Sequence, residues 1–407
     1  MCGKDLRPEV NIVGGTYYEV CLNPSWDQIY GSGLRAALVV RDLNPEARIN
    51  LYTYADKYAA AHLELYKTRM DLNVVIKEEQ QSARFSYLHS LRSPHLGMPI
   101  FYGFNTIFLR AENCIVFGLV EGASQVFCNK AVYDPQSPNA PHSFWESGSK
   151  TNHLAVVLNE KEAVALSNKT ELLDIRDALF ESEKCEVLVI KRGAKGAIVY
   201  DDRDSEGRAV PVFKTDRVWS IGSGDVFTSV FGYYWMIENM NAVESSVKAS
   251  LAAACYCNEK EITGLFSNMR NAQFESLQPR RRGNVYLAGP IFTMAQLMFI
   301  DECRNSLKEL GCDVFSPYHD VGIGDADDVV PKDIQAIEDC DVMFALLDGM
   351  DPGTVFEVGY AVAKGKRVVV FVQNEEKTHL QMMIGTQCSI ENDFVTAMYK
   401  CAWYASE

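Results

Sequence analysis

The stretch LLDGMDPGTVFEVGYAVAKGK, residues 346–366, holds an apolar strand end, a turn rich in Asp, Gly and Pro, and the start of a helix. The strand is predicted over 342–347 and the helix over 354–364, closed by Gly365, a helix-stop signal. Glu357 falls in the first helical turn. Thr354 and Glu357 fit the S/T-x-x-E capping box, in which both side chains satisfy orphan amides at a helix start. On the tetrapeptide alone the cap is the plainer reading. A carboxylate just past a buried strand also suits a nucleophile.

Outward from this stretch the same alternation repeats. Residues 285–288 read as a strand, 294–310 as a helix ending at Gly311, 313–316 as a short strand, 332–339 as a short helix and 367–372 as an apolar strand. Short continuous apolar strands between helices indicate a parallel sheet covered on both faces. Ligands of such sheets bind beyond the C-terminal strand ends. Tyr286, Gly289, Pro290, Asp348 and Asp351 fall at or near those ends. Asp333 reads as an acid in a first helical turn, favoured there by the helix dipole.

The chain has 407 residues, too many for one ordinary core. A polar stretch with Pro279 and Arg280, Arg281 and Arg282 separates two patterned blocks. The expected division is 1–270, a linker at 271–283, and 284–407. The first block is also α/β, with strands at 11–13, 114–117, 153–158 and 187–190 and helices at 33–40, 161–166 and 225–238. The net charge of −15 argues against an extended nucleic-acid surface, which needs clustered Lys and Arg. No apolar run reaches membrane-spanning length, and the first residues show no leader pattern, so a cytoplasmic location is expected. Twelve cysteines are scattered without a CxxC pair, and seven histidines show no ligand spacing, so no metal site is expected.

Asp333, Asp351 and Glu357 gather on one predicted sheet edge with Tyr286. Carboxylates and a phenol around a cleft are what glycosyl transfer uses: one carboxylate attacks the anomeric carbon and another group handles the leaving-group proton. Close carboxylates also push each other's pKa values apart. The pieces VYLAGPIF (285–292), FSPYHDVG (315–322) and KDIQAIEDCDVMFALLDGMDPGTVFEVGYAVAKGKRVVVF (332–371), in that order, resemble the nucleoside 2-deoxyribosyltransferase family. The resemblance implies a flavodoxin-like doubly wound parallel sheet and double displacement without a cofactor. It makes Glu357 the nucleophile, Asp333 and Asp351 the acids at the base, and Tyr286 the tyrosine beside the nucleophile. Gly289, Pro290, Gly353 and His319 are expected at the substrate. The family's active sites lie near subunit contacts, which implies a homo-oligomer. Family members complete the sugar site with an Asn from a neighbouring subunit; here THLQMMIG (378–385) offers only His379 or Gln381.

In the first block SIGSGDVFTSVFGYY (220–234) places glycines directly before a helix, where free amides can cradle an anion. With LNEKEA (158–163), VLVIKRGAKGAIVYD (187–201) and YGSGLRAALVV (30–40), it resembles the PfkB, or ribokinase-like, carbohydrate kinases over residues 10–265. The resemblance implies a ribokinase-like α/β domain with Asp225 as catalytic base. Gly222, Ser223, Gly224, Asn159 and Glu162 would bind the anion, and an active kinase would need ATP and Mg. The sequence departs from the pattern in three places. Trp219 and Ser220 stand where an Asp is usual, the early glycine motif lacks its Asn, and 74–91 shows no clear pattern where a sugar lid would lie.

The resulting expectation is cleavage or exchange of an N-glycosidic bond on a small-molecule nucleoside or nucleotide, joined to a sugar or nucleoside kinase-like domain. One alternative is a nucleotide-depleting effector, a toxin or anti-phage protein, whose first domain senses. Another is a binding protein that keeps both folds without catalysis.

Overall fold

The computed structural model describes residues 7–100, 106–137, 140–203, 205–279 and 281–407; the first six residues and Arg280, both read above, lie outside them. The chain divides into two compact units, one carried by Trp219–Glu275 and most of the chain before it, the other by Ser276–Glu407.

The first unit begins with strands β1 (Glu9–Val13), β2 (Tyr18–Cys21) and β3 (Trp26–Ile29) and helix α1 (Ser32–Leu43). Strand β4 (Arg48–Ala55), helix α2 (Lys57–Arg69), and strands β5 (Leu72–Glu78), β6 (Arg84–Tyr87), β7 (His95–Gly97), β8 (Thr106–Phe117), β9 (Ala123–Asp134) and β10 (Lys150–Asn159) follow. Next come helices α3 (Glu160–Ser167) and α4 (Leu172–Glu183) and strands β11 (Val187–Lys191), β12 (Ala197–Tyr200), β13 (Arg208–Val210) and β14 (Val212–Phe213). Helices α5 (Ser223–Gly232), α6 (Ala242–Glu259) and α7 (Leu265–Asn271) close the unit.

Among the described residues its main sheet has nine strands in the order β13-β12-β11-β10-β9-β8-β1-β4-β5. All neighbours are parallel except at β12 and β13. Successive strand residues point to opposite faces, so one strand feeds two cores. Ile12, Ile115, Val157 and Val189 pack with α1, α5 and α6, while Val13, Val116, Leu158 and Ile190 pack with α3 and α4. A separate four-stranded sheet runs β3-β2-β6-β7. It corrects the reading of 74–91 as patternless: Arg84–Tyr87 pairs with both Tyr18–Cys21 and His95–Gly97. Each of these strands has only three or four residues and mixed burial, too little alternation to read as strand from sequence. Helix α5 also ends at Gly232, short of the expected 238, and passes into a wider turn over Tyr233–Ile237.

The second unit holds β15 (Ser276–Leu277), β16 (Asn284–Ala288), α8 (Met294–Glu309), β17 (Asp313–Phe315), α9 (Ala326–Asp339), β18 (Val342–Leu346), α10 (Pro352–Ala363), β19 (Arg367–Phe371), α11 (Gln381–Gly385), β20 (Ser389–Glu391) and α12 (Phe394–Ser406). Its sheet runs β17-β16-β18-β19-β20, all parallel. Counted from β16 this is the flavodoxin-like order 2-1-3-4-5, and the order reverses between β16 and β18. Tyr286 and Met343 face Ile337 of α9 and Val358 of α10. On the other face Phe371 packs with Phe299 of α8 and Phe394 of α12.

Two sequence readings are corrected here. Helix α9 starts at Ala326 and continues through Pro331, so Asp333 stands two turns inside it rather than in the first turn. The cap of α10 is Asp351, whose Oδ2 accepts from the Thr354 amide at 2.8 Å and from the Thr354 hydroxyl at 2.9 Å. Pro352 at the first helical position fixes this start, and Thr354 and Glu357 form no capping box.

Candidate functional site

In the second unit the phenol of Tyr286 donates to Glu357 Oε1 at 2.6 Å. Strand β16 carries the phenol and the first turns of α10 carry the carboxylate, so the pair sits at the reversal of strand order. Because Asp351 caps α10, the Glu357 carboxylate is free of that duty. Burial pushes Glu357 up to about 7; the Tyr286 hydrogen bond pulls it down, and the charges of Asp333 and Asp351 push it up again. Asp333 is raised by burial, and its Oδ1 is buried without a hydrogen-bond partner among the described residues. Four groups expected together are thus electrostatically one cluster: a phenol, an acid near neutrality, and two further carboxyls.

The other expected contacts are placed as follows. Gly289 follows β16, and a Cβ there would press on Ile300 and Leu346. Pro290 lines a cleft of about 90 Å³ with Gln296, Phe299, Leu346, Asp348 and Phe371. Gly353 packs close to the Asp351 carboxylate. His319 is held by Asp301 at 2.7 Å and Ser316 at 3.1 Å, which ties both ring nitrogens. His379 is paired with Glu375 at 2.9 Å, and Gln381 opens α11. A groove of about 630 Å³ between β17 and α9, lined by Phe315, Pro331, Gln335 and Asp339, does not include Tyr286 or Glu357.

In the first unit Asn159, Glu162, Gly222, Gly224 and Asp225 line one cleft of about 270 Å³, and Ser223 is not among its lining residues. Asn159 and Glu162 cap α3 reciprocally: Asn159 Oδ1 accepts from the Glu162 amide at 2.9 Å, and Glu162 Oε2 accepts from the Asn159 amide at 2.8 Å. Ser223 turns its hydroxyl to the Ser220 carbonyl. Gly222 has φ +79°, a left-handed conformation that suits glycine. Burial pushes Asp225 up to about 6 against the pull of Arg35, with Glu19 and Asp134 adding to the rise.

Sequence reasoning missed the charges around Asp225. Arg35 of α1 donates to Asp225 at 2.6 Å and to Glu19 at 2.6 Å. Gln136 donates to the other Asp225 oxygen. Lys191 pairs with Asp134 at 2.6 Å. The signal for Arg35 was a cation inside the apolar run 33–40, within the motif that lacks its Asn. Trp219, in the place of the usual Asp, is buried, and the Lys260 ammonium lies 3.7 Å from its ring centre. Among the described residues no group of three or more His, Cys, Asp or Glu is arranged to hold a metal ion.

Residues 285–398 match the family model for nucleoside 2-deoxyribosyltransferase, and residues 132–265 match that for pfkB family carbohydrate kinase. No curated protein sequence matches the chain. Ribokinase from Giardia lamblia is similar in structure, with a TM-score of 0.51 at 13% identity over 65% of this chain and 98% of that one. A fructokinase double mutant from Vibrio cholerae O395, solved with fructose, ADP and potassium ion, gives a TM-score of 0.50 at 14% identity over 64% and 97%. At such identities the likeness concerns the fold, which is ribokinase-like. The chain therefore joins a ribokinase-like domain to a nucleoside deoxyribosyltransferase-like one, both from enzyme families.

Proposed function

We propose that the second unit cleaves or exchanges the N-glycosidic bond of a (deoxy)nucleoside or nucleotide through a covalent glycosyl-enzyme on Glu357. The observation that carries this reading is the 2.6 Å hydrogen bond from Tyr286 to a Glu357 carboxylate that caps nothing. In the first step Glu357 attacks the anomeric carbon, the carbon–nitrogen bond breaks, and the base leaves with the bonding pair. Asp333, raised by burial, supplies the proton that the leaving base takes up. In the second step water or an acceptor base attacks the same carbon and Glu357 departs as carboxylate. The phenol orients the nucleophile and holds down its pKa. No cofactor enters these steps.

Exposed apolar side chains support a homo-oligomer. Phe292, Met294, Ile323, Phe356 and Met382 all lie in the loops or helix starts that follow strands of the second unit, and each is more than 60% exposed. Among the described residues no helix is long and apolar enough to cross a membrane. A small-molecule substrate in the cytoplasm fits this reading.

For the first unit, carbohydrate kinase activity would use ATP and Mg and would need Asp225 as base. The second reading is the effector with a sensing first unit, in which Arg35 and Gln136 hold the Asp225 carboxylate as part of the cleft wall.

The test is release of free base. Wild type and Glu357→Ala are incubated with deoxynucleosides, ribonucleosides, their monophosphates and NAD, with and without an acceptor base, and followed by chromatography and mass spectrometry. Release or exchange by the wild type alone is expected. No turnover of any candidate would sink the proposal. Growth arrest on expression, relieved by Glu357→Ala, would select the effector over a salvage enzyme.

A further inference from the structure

The connection from β18 to α10, residues 347–351, sets where the helix that carries Glu357 begins. Gly349 has φ +86° and Met350 has φ +48°. Two successive left-handed residues make a tight turn, and the second bears a side chain that disfavours this conformation. Such a backbone persists where its surroundings fix it. The Met350 amide donates to the Leu347 carbonyl at 3.0 Å, and the next residue, Asp351, caps α10.

The fixing groups come from the connection after β19. Asp348, one of the acids at the strand ends, turns its carboxylate to that segment: Oδ1 accepts from the Gln373 amide at 2.9 Å and from the Asn374 amide at 2.7 Å. In return Glu375 Oε1 accepts from the Gly349 amide at 2.8 Å. The other Glu375 oxygen pairs with His379 Nδ1 at 2.9 Å, and the Glu375 side chain is 14% exposed. The imidazole and the Gly349 amide hold Glu375 below its usual value, and Glu375 in turn holds His379 above its own. Leu380 and Met383, just beyond, are buried in the same core as Tyr286 and Val358, so this segment is itself anchored. The two connections thus exchange carboxylate-to-amide bonds in both directions, and such charge-assisted bonds are stronger than neutral ones.

We propose that Glu375, oriented by His379, is a positioning residue for the nucleophile. Through the Gly349 amide it fixes the start of α10 and so keeps the Glu357 carboxylate 2.6 Å from the Tyr286 hydroxyl. The inference rests on the glycosidic reading of the second unit, and it gives that site a support lying outside the motif that carries Glu357.

Hydrogen–deuterium exchange on the full chain, read on peptides covering 347–357, tests the clasp without substrate. Glu375→Ala is expected to speed exchange there about tenfold or more and His379→Ala about threefold. Glu375→Gln keeps an oxygen for the Gly349 amide and should change it little. Base release from the deoxynucleosides and ribonucleosides, followed against pH, tests the positioning. Glu375→Ala is expected to lower kcat about tenfold with KM changed by less than about twofold. It should also move the rising limb to higher pH, because Glu357 loses its phenol, and Glu375→Gln should recover most of both effects. Should Glu375→Ala fail to fold, His379→Ala carries the same tests at the smaller effect. Faster exchange with the limb left in place would make the clasp merely structural and overturn the proposal. So would unchanged exchange in both alanine variants, or a Glu375→Gln as impaired as Glu375→Ala. In each of these cases the wild type still releases base; no release by the wild type would instead remove the glycosidic reading and the positioning role with it.

Discussion

Glu357 is held where its ionised form is disfavoured, and this has two consequences with opposite signs. As a nucleophile it must be deprotonated, so base release is expected to rise with pH through about 7. Tyr286→Phe removes the hydrogen bond that lowers Glu357, so the rising limb should move to higher pH and the rate at pH 7 should fall about tenfold or more. A limb that stays in place would separate the phenol from the nucleophile. For stability, the folded carboxyl titrates near 7 and the unfolded one near 4.5. Between these values the folded chain binds more protons, so stability falls as pH rises, by at most roughly 3 kcal/mol once pH exceeds 7. Glu357→Gln, which stays neutral, should therefore melt above the wild type at pH 8 and close to it at pH 4.5. Glu357 was readable as a candidate because it stands in a local motif. Arg35 was not, because its partners Asp225 and Glu19 stand 190 and 16 positions away.

The start of α10 separates two roles that one tetrapeptide, 354–357, could fill. Asp351 caps the helix and also raises Glu357 by its charge. Asp351→Asn should keep the cap, because Asn caps as well as Asp. It should also move the pH limb downward, opposite to Tyr286→Phe. Asp351→Ala should lose about 1 kcal/mol of stability as well. A large drop in turnover in Asp351→Asn, without a pH shift, would return Asp351 to the acid role read from sequence. At Gly222, Gly222→Ala meets both a positive φ and the Arg35 guanidinium, so the folded first unit should melt markedly lower. Strand and helix identities in both units were largely legible from apolar periodicity. Ends were less so: α9 runs six residues earlier than its readable part, 326 against 332, because Pro331 reads as a boundary and is carried inside the helix instead.

At the scale of the whole molecule two folds share one chain, and the sequence separated them because each block keeps its own pattern. The parallel sheet of the second unit was readable from four apolar runs. The small sheet of the first was not, since strands of three or four half-buried residues carry little periodicity. The exposed apolar side chains of the second unit were equally invisible, because a heptad or strand pattern does not say which residues remain uncovered. If a second copy covers them, light scattering on the full chain should give a multiple of the monomer mass. Paired changes at the two most exposed ring and methionine positions in the α8 approach, Phe292→Asp and Met294→Asp, should shift it toward monomer. A wild-type mass equal to one chain would contradict the oligomer.

The covalent glycosyl-enzyme is tested most directly by intact-protein mass spectrometry on acid-quenched enzyme during turnover of the nucleoside found active, without acceptor base. The predicted result is a population heavier by one sugar residue, mapped to the peptide containing Glu357 and absent in Glu357→Gln. Base release by the wild type with no such species, together with undiminished release by Glu357→Gln, would contradict it.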